Sequence, residues 1–194
     1  MTGPTIEAVI FDMDGTLVEP LLNFDAIRTE LDIPAGAGIL EALERMPQQQ
    51  RQAARRRLRA HELAAARQAK EMPAATDTVR ALQRAGVKTA LLTRNDREAM
   101  ETVLQRLGVS FDLAWARQDG PIKPEPDGVV RACRALNAPL QRTACVGDFR
   151  YDMIAANAAG AVSILLAPGE RPDFADQADY VIRRFDELLM LCGR

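Results

Sequence analysis

The segment Phe11-Asp12-Met13-Asp14-Gly15-Thr16 follows directly on the apolar run Ala8-Val9-Ile10. A buried strand favours Val, Ile and Leu, and an unpaired carboxylate at its end costs several kcal/mol. Two carboxylates separated by a single residue therefore need compensation, and a divalent cation is the simplest source. Three further fragments follow in order: Thr93 after a second apolar run, Lys123 between prolines, and Asp148 with Asp152 after a third run. Phosphoryl transfer would use all of them. A carboxylate sharing Mg²⁺ stays ionised and can attack phosphorus. Its neighbour, if turned away from the metal, can hand a proton to the leaving oxygen and later take one from water. The remaining need is positive charge around the phosphoryl oxygens. Thr93 offers a hydroxyl, Arg94 and Asn95 begin a helix whose N–H groups suit an anion, and Lys123 offers an ammonium. Asp148 supplies a hard oxygen ligand of the kind Mg²⁺ requires. Asp152, one turn on, either binds through water or orients Lys123.

Taken singly, each fragment has an ordinary reading. Asp14-Gly15 is a turn, Thr93 a loop residue, Lys123 a solvated cation, and Asp148 and Asp152 are carboxylates at a helix start. The elements that must position them decide otherwise. Short, continuously apolar runs predict buried strands at Ile6–Phe11, Val87–Leu92, Phe111–Trp115, Thr143–Val146 and Val162–Leu166, with a weaker one at Tyr180–Ile182. Helical patterns lie between them. Thr76 is read as the cap of a helix stopping at Gly86, and Asn95 or Asp96 as the cap of one stopping at Gly108. Pro126 and Asp127 open another that runs to Leu136, and Asp152 heads one stopping at Gly160. This alternation predicts an α/β fold, a Rossmann-like parallel sheet flanked by helices. Ligands then bind outside the carboxyl ends of the strands, where Asp12, Thr93 and Asp148 converge.

From 21 to 72 the alternation stops. Helices are predicted from Phe24 to Leu31, Ile39 to Met46 and Gln48 to Glu71, with no strand signal. The expected organisation is a core of residues 1–20 and 73–194 with a helical cap, 21–72, over the crevice. Within the cap Arg51, Arg55 and Arg59 recur at helical spacing. They form either a solvated face or a surface that greets an anionic substrate.

Composition sets outer bounds. The 194 residues are 47% hydrophobic and 27% charged with a formal net charge of −2, which favours neither nucleic acid nor a membrane surface as partner. No signal sequence and no membrane-spanning stretch is read. Cys133, Cys145 and Cys192 lack metal-ligand spacing and suit reduced thiols in a cytoplasm. His61 is the only histidine, so neither a histidine nucleophile nor a zinc site is supported. Arg is used almost to the exclusion of Lys, which occurs only as Lys70, Lys88 and Lys123. Trp115 is read as core, and Arg117 and Gln118 as crevice residues without an assigned role.

The chain resembles the haloacid-dehalogenase-superfamily phosphohydrolases with a small helical cap after the first motif. The resemblance spans essentially the whole chain. It is carried by Asp12-Met13-Asp14-Gly15-Thr16, Leu91-Leu92-Thr93-Arg94-Asn95, Lys123-Pro124-Glu125-Pro126-Asp127, and Gly147-Asp148 through Asp152. It implies that Asp12 forms an aspartyl-phosphate and that Asp14 is the general acid/base and lends Mg²⁺ its carbonyl. Thr93 and Lys123 would hold the phosphoryl group, Asp148 would ligate the metal, and Asp152 would support it. Asp14 separates this chain from the dehalogenases, whose halide leaves without a proton. Phosphonate-cleaving relatives use a cap lysine, and Lys70, at the end of the third cap helix, is a poor match.

The core segments resemble phosphoglycolate-phosphatase-like members, through Met72-Pro73 before the Thr76 helix and through the Thr93-Arg94-Asn95 turn. Val18-Glu19-Pro20 departs from them, and its proline stiffens the hinge to the cap. The resemblance thus implies a Mg²⁺-dependent phosphatase of a small phosphorylated metabolite, phosphoglycolate-like or a sugar phosphate. A phosphosugar mutase and a non-catalytic binder of metal or phospho-ligand are the alternatives. Substrate and oligomeric state are left open.

Overall fold

A computed structural model describes residues 6–193, so the first five residues of the expected 1–20 segment and Arg194 lie outside the described residues. Strands β1 (Ala8–Phe11), β2 (Lys88–Leu92), β3 (Leu113–Trp115), β4 (Thr143–Gly147), β5 (Val162–Leu166) and β6 (Tyr180–Ile182) form one sheet. Their order is β3-β2-β1-β4-β5-β6, and every neighbouring pair is parallel. The continuous apolar runs have the reason the sequence suggested: both faces are covered. Val9 and Phe11 point into one cluster with Val79, Leu82, Met100, Val103, Phe185 and Leu188. Ala8 and Ile10 point into the other with Val129, Ala132, Cys133 and Ala156. Helices α4 (Ala75–Arg84), α5 (Arg97–Leu107) and α8 (Phe185–Leu191) supply the first layer. Helices α6 (Asp127–Leu136) and α7 (Arg150–Ala159) supply the second.

Several edges differ from the expectation. β3 starts at Leu113 rather than Phe111, because the Asp112 carboxylate accepts from the Thr89 amide at 2.7 Å and takes the place of a ladder bond. Thr76 does not cap α4. The capping position is Ala74, in left-handed backbone at φ 64°, and Thr76 lies inside the first turn. There the Glu71 carboxylate accepts from both the Thr76 amide (2.8 Å) and its hydroxyl (2.7 Å). Asp96 does cap α5, accepting from the Glu98 amide at 3.0 Å. Helix α8 was not anticipated; its Phe185 and Leu188 are core residues.

Between β1 and α4 run three helices that add nothing to the sheet: α1 (Phe24–Glu30), α2 (Ile39–Arg45) and α3 (Gln48–Gln68). Ile27, Leu31, Ile39, Leu43, Ala54 and Leu58 give them a small core of their own. The long α3 belongs to both cores, since Ala66 near its end is buried in the main cluster. It stops at Gln68, so Lys70 lies beyond the helix and not at its end. The two connections to this insertion are paired with each other. Glu19 donates to the Lys70 carbonyl and Met72 to the Leu17 carbonyl, both at 2.9 Å, with a bridge between Val18 and Glu71. Among the described residues no helix is long and apolar enough to cross a membrane.

Candidate active site

Because β2, β1 and β4 are neighbours, the residues just after them are delivered to one place. The Lys123 ammonium lies 2.6 Å from an Asp12 oxygen and 2.6 Å from an Asp152 oxygen. Asp12, Asp148 and Asp152 each offer a carboxylate oxygen, all within 4.8 Å of one another. Thr16 donates its hydroxyl to Asp148 at 3.3 Å, and the Phe149 amide donates to Asp152 at 3.1 Å. Asp14 sits apart from this triad, its carboxylate held at 2.9 Å by the Asn95 side-chain amide. The Thr93 hydroxyl oxygen accepts from the Asn95 amide at 3.0 Å, which shapes the turn entering α5. Two close approaches need glycine. Gly15 has φ +79°, and a Cβ there would stand 2.1 Å from the Asp148 carboxylate; at Gly147 it would stand 2.2 Å from Asp152.

The electrostatics follow from burial. Asp12 is pushed well above the usual carboxylate range by burial, against the pull of Lys123 and with help from Asp152 and Asp148. Asp148 is pushed up to about 7, first by burial and then by Asp152. Asp14 is raised by burial, opposed by Asn95 and Lys123. Burial would lower the Lys123 ammonium, but Asp12 and Asp152 outweigh it and hold the group charged. Three clustered carboxylates against one ammonium leave negative charge uncompensated, and the donors are hard oxygens. That combination fits a divalent cation such as Mg²⁺.

Beside the cluster, and reaching it at Lys123, lies a cleft of about 790 Å³. Helices α2 and α3 form one wall, and Arg117, Gln118 and residues 120–125 with Tyr151 form the other. Arg94, expected at the phosphoryl group through the start of α5, has its side chain directed here. It donates to Glu41 at 2.7 Å and to the Lys123 carbonyl, and stacks on Tyr151 at 4.7 Å. Arg117 and Gln118 do reach the cleft: Gln118 holds Asp96 at 2.5 Å, and Arg117 lies 3.5 Å from Asp96. Arg117 also bonds Glu62 of α3 at 2.5 Å. Glu62 was missed. It is 4% exposed, its second oxygen has no hydrogen-bond partner, and burial raises it with Arg117 opposing. Nothing in a charge-rich helical run distinguishes it, since its partner is 55 residues away. Within the arginine row, Arg51 and Arg55 bind Glu44 (3.1 and 2.5 Å), while Arg59 binds Glu98. Trp115 is half-buried under the Arg131 guanidinium, and His61 pairs with Glu30 at 2.6 Å.

Comparison with known proteins gives a consistent picture. A family model described as haloacid dehalogenase-like hydrolase matches residues 6–160. A haloacid dehalogenase-like hydrolase domain-containing protein of Arabidopsis thaliana is 30% identical over 173 residues, 83% of this chain and 71% of that one. The pyrophosphatase PpaX of Halalkalibacterium halodurans is 32% identical over 123 residues, 60% of this chain and 57% of that one. A probable phosphoglycolate phosphatase of Pseudomonas putida is 29% identical over 126 residues, covering 62% and 50%. Among solved structures, a hydrolase from Pseudomonas syringae superposes with a TM-score of 0.80 at 22% identity, over 95% of this chain and 96% of that one.

Proposed function

Because the chain belongs to the haloacid dehalogenase-like hydrolase family, we propose that it is a Mg²⁺-dependent phosphatase acting through an aspartyl-phosphate on Asp12. The observation that carries this is the division between the two carboxylates. Asp12 is bound by Lys123 beside Asp148 and Asp152, whereas Asp14 is held apart by Asn95. In the first step an Asp12 oxygen attacks phosphorus while Asp14 gives its proton to the departing alkoxide. In the second, Asp14, now ionised, takes a proton from water as that water attacks the phosphorus on Asp12. Phosphate leaves, and both carboxyl groups return to their starting states.

The elevated affinity of Asp14 for its proton suits the first step, and its burial is the cause. Thr93, Lys123 and the backbone N–H groups of Arg94 and Asn95 receive the phosphoryl oxygens in this reading. Mg²⁺ would be held by Asp12, Asp148 and the Asp14 carbonyl, with Asp152 supporting, and would supply positive charge to the phosphoryl group. In this reading residues 21–72 form the cap, and the described residues of 1–20 and 73–194 form the core. The buried cysteines Cys133, Cys145 and Cys192 suit a cytoplasmic protein. The substrate is a small phosphorylated metabolite.

Phosphate release with Mg²⁺ across a panel of such metabolites tests the reading, with EDTA and Asp12→Asn as controls. Release that needs both the metal and Asp12 supports it. Isomerised sugar phosphate without phosphate release would indicate a mutase instead, and no turnover at all a binding protein.

A further inference from the structure

Ion pairing around the cleft is uneven. Arg55 is engaged by Glu44, Arg59 by Glu98, Arg117 by Glu62 and Asp96, and Lys123 by Asp12 and Asp152. Arg56 lines the same cleft and is exposed, with no hydrogen-bond or ion partner among the described residues. Of the acids lining the cleft, Glu41, Glu44 and Asp96 are paired. Glu125, whose side chain has no partner among the described residues, stands on the other wall, on the loop that carries Lys123.

A free guanidinium in this position is a recognition group more than a stabilising one. Exposed charges contribute little to folding, whereas a guanidinium grips a carboxylate or phosphate with two parallel N–H donors. The helix register says how far it stands from the chemistry. Arg59 lies 3.4 Å from Asp96, the residue after the Asn95 that holds Asp14. Arg56 is three residues earlier on α3, roughly 5 Å further out along the helix. A cleft of about 790 Å³ holds far more than a phosphoryl group.

We propose that the substrate's leaving group carries a second anion, a carboxylate or another phosphate, which docks on Arg56. The repulsion of Glu125 on the far wall helps direct that anion toward α3. The inference rests on the phosphatase reading and narrows its substrate class.

Steady-state phosphate release tests it with three probes: 2-phosphoglycolate, a hexose bisphosphate, and p-nitrophenyl phosphate, whose leaving group has no second phosphate or carboxylate. Wild-type protein is expected to favour one of the first two in kcat/KM. Arg56→Ala should cut that preference ratio about tenfold or more, mainly through KM, the size of a charge-assisted contact in an open cleft. Arg56→Lys should recover part of it. A preference ratio that Arg56→Ala does not move overturns the inference alone. Wild-type protein that releases phosphate from none of the three overturns the phosphatase reading as well.

Discussion

Asp12 and Asp14 are two residues apart in the chain, yet one lies in a carboxylate cluster with an ammonium and the other faces a neutral amide. That difference lets two identical side chains take different parts. Asn95 maintains it, so Asn95→Ala should lower kcat by roughly 10- to 100-fold with little change in KM, as expected when a proton-carrying group is mis-set. Steady-state kinetics checks this; a pure KM effect would mean that Asn95 only binds substrate. Gly15 is the other decisive position. Gly15→Ala forces a Cβ against the Asp148 carboxylate in left-handed backbone, so Mg²⁺ affinity measured by titration calorimetry should fall about tenfold or more. The carboxylates themselves were legible in the sequence because Asp residues after buried strands have no packing explanation. Asn95, Glu62 and Arg56 were less so. The sequence marked Asn95 for an anion at a helix start, whereas its side chain binds Asp14. Glu62 and Arg56 lie in a run of charged helix whose faces only tertiary contacts distinguish.

The strands were read correctly as elements because burial on both faces leaves a continuous apolar signal. Their ends shifted where side chains such as Asp112 replaced backbone partners. The start of α4 was misread for a similar reason: Glu71, outside the helix, accepts from the amide and the hydroxyl of Thr76, which holds Thr76 inside the first turn instead of at the cap. The element that matters most to function is α3, which packs with α1 and α2 at one end and with the sheet cluster at the other. Glu62 and Arg117 join it to the loop after β3. Removing one member of a buried ion pair costs about 3–5 kcal/mol, so Arg117→Ala should lower Tm by roughly 6–20 °C in a chain of this size. The stranded Glu62 already holds its proton more tightly than usual because of burial. Losing Arg117 raises it further, so the loss should shrink at acidic pH, where the carboxyl is neutral. Thermal melts at pH 5 and pH 8 check this, and an equal loss at both would argue against a buried charge.

At the scale of the whole molecule, the cluster of Asp12, Asp148 and Asp152 makes stability depend on pH and on metal. Asp148 is raised from 3.8 to about 7 by burial and by Asp152, so the folded chain binds its proton more tightly than the unfolded chain does. Its contribution is present in full below about pH 4 and is lost as pH rises through about 7. A bound cation reverses the disadvantage of the ionised cluster. Mg²⁺ should therefore raise Tm more at pH 8 than at pH 5. An equal or larger shift at pH 5 would place the metal elsewhere.

The most direct test of the account is the covalent one. Wild-type protein and Asp12→Asn would be mixed with Mg²⁺ and a turned-over phosphate ester, quenched in acid, and compared by mass spectrometry for a phosphoryl adduct on the peptide containing Asp12. An adduct on Asp12 is expected in the wild type, and neither adduct nor phosphate release in the variant. Phosphate release by Asp12→Asn at a rate near that of the wild type would contradict it.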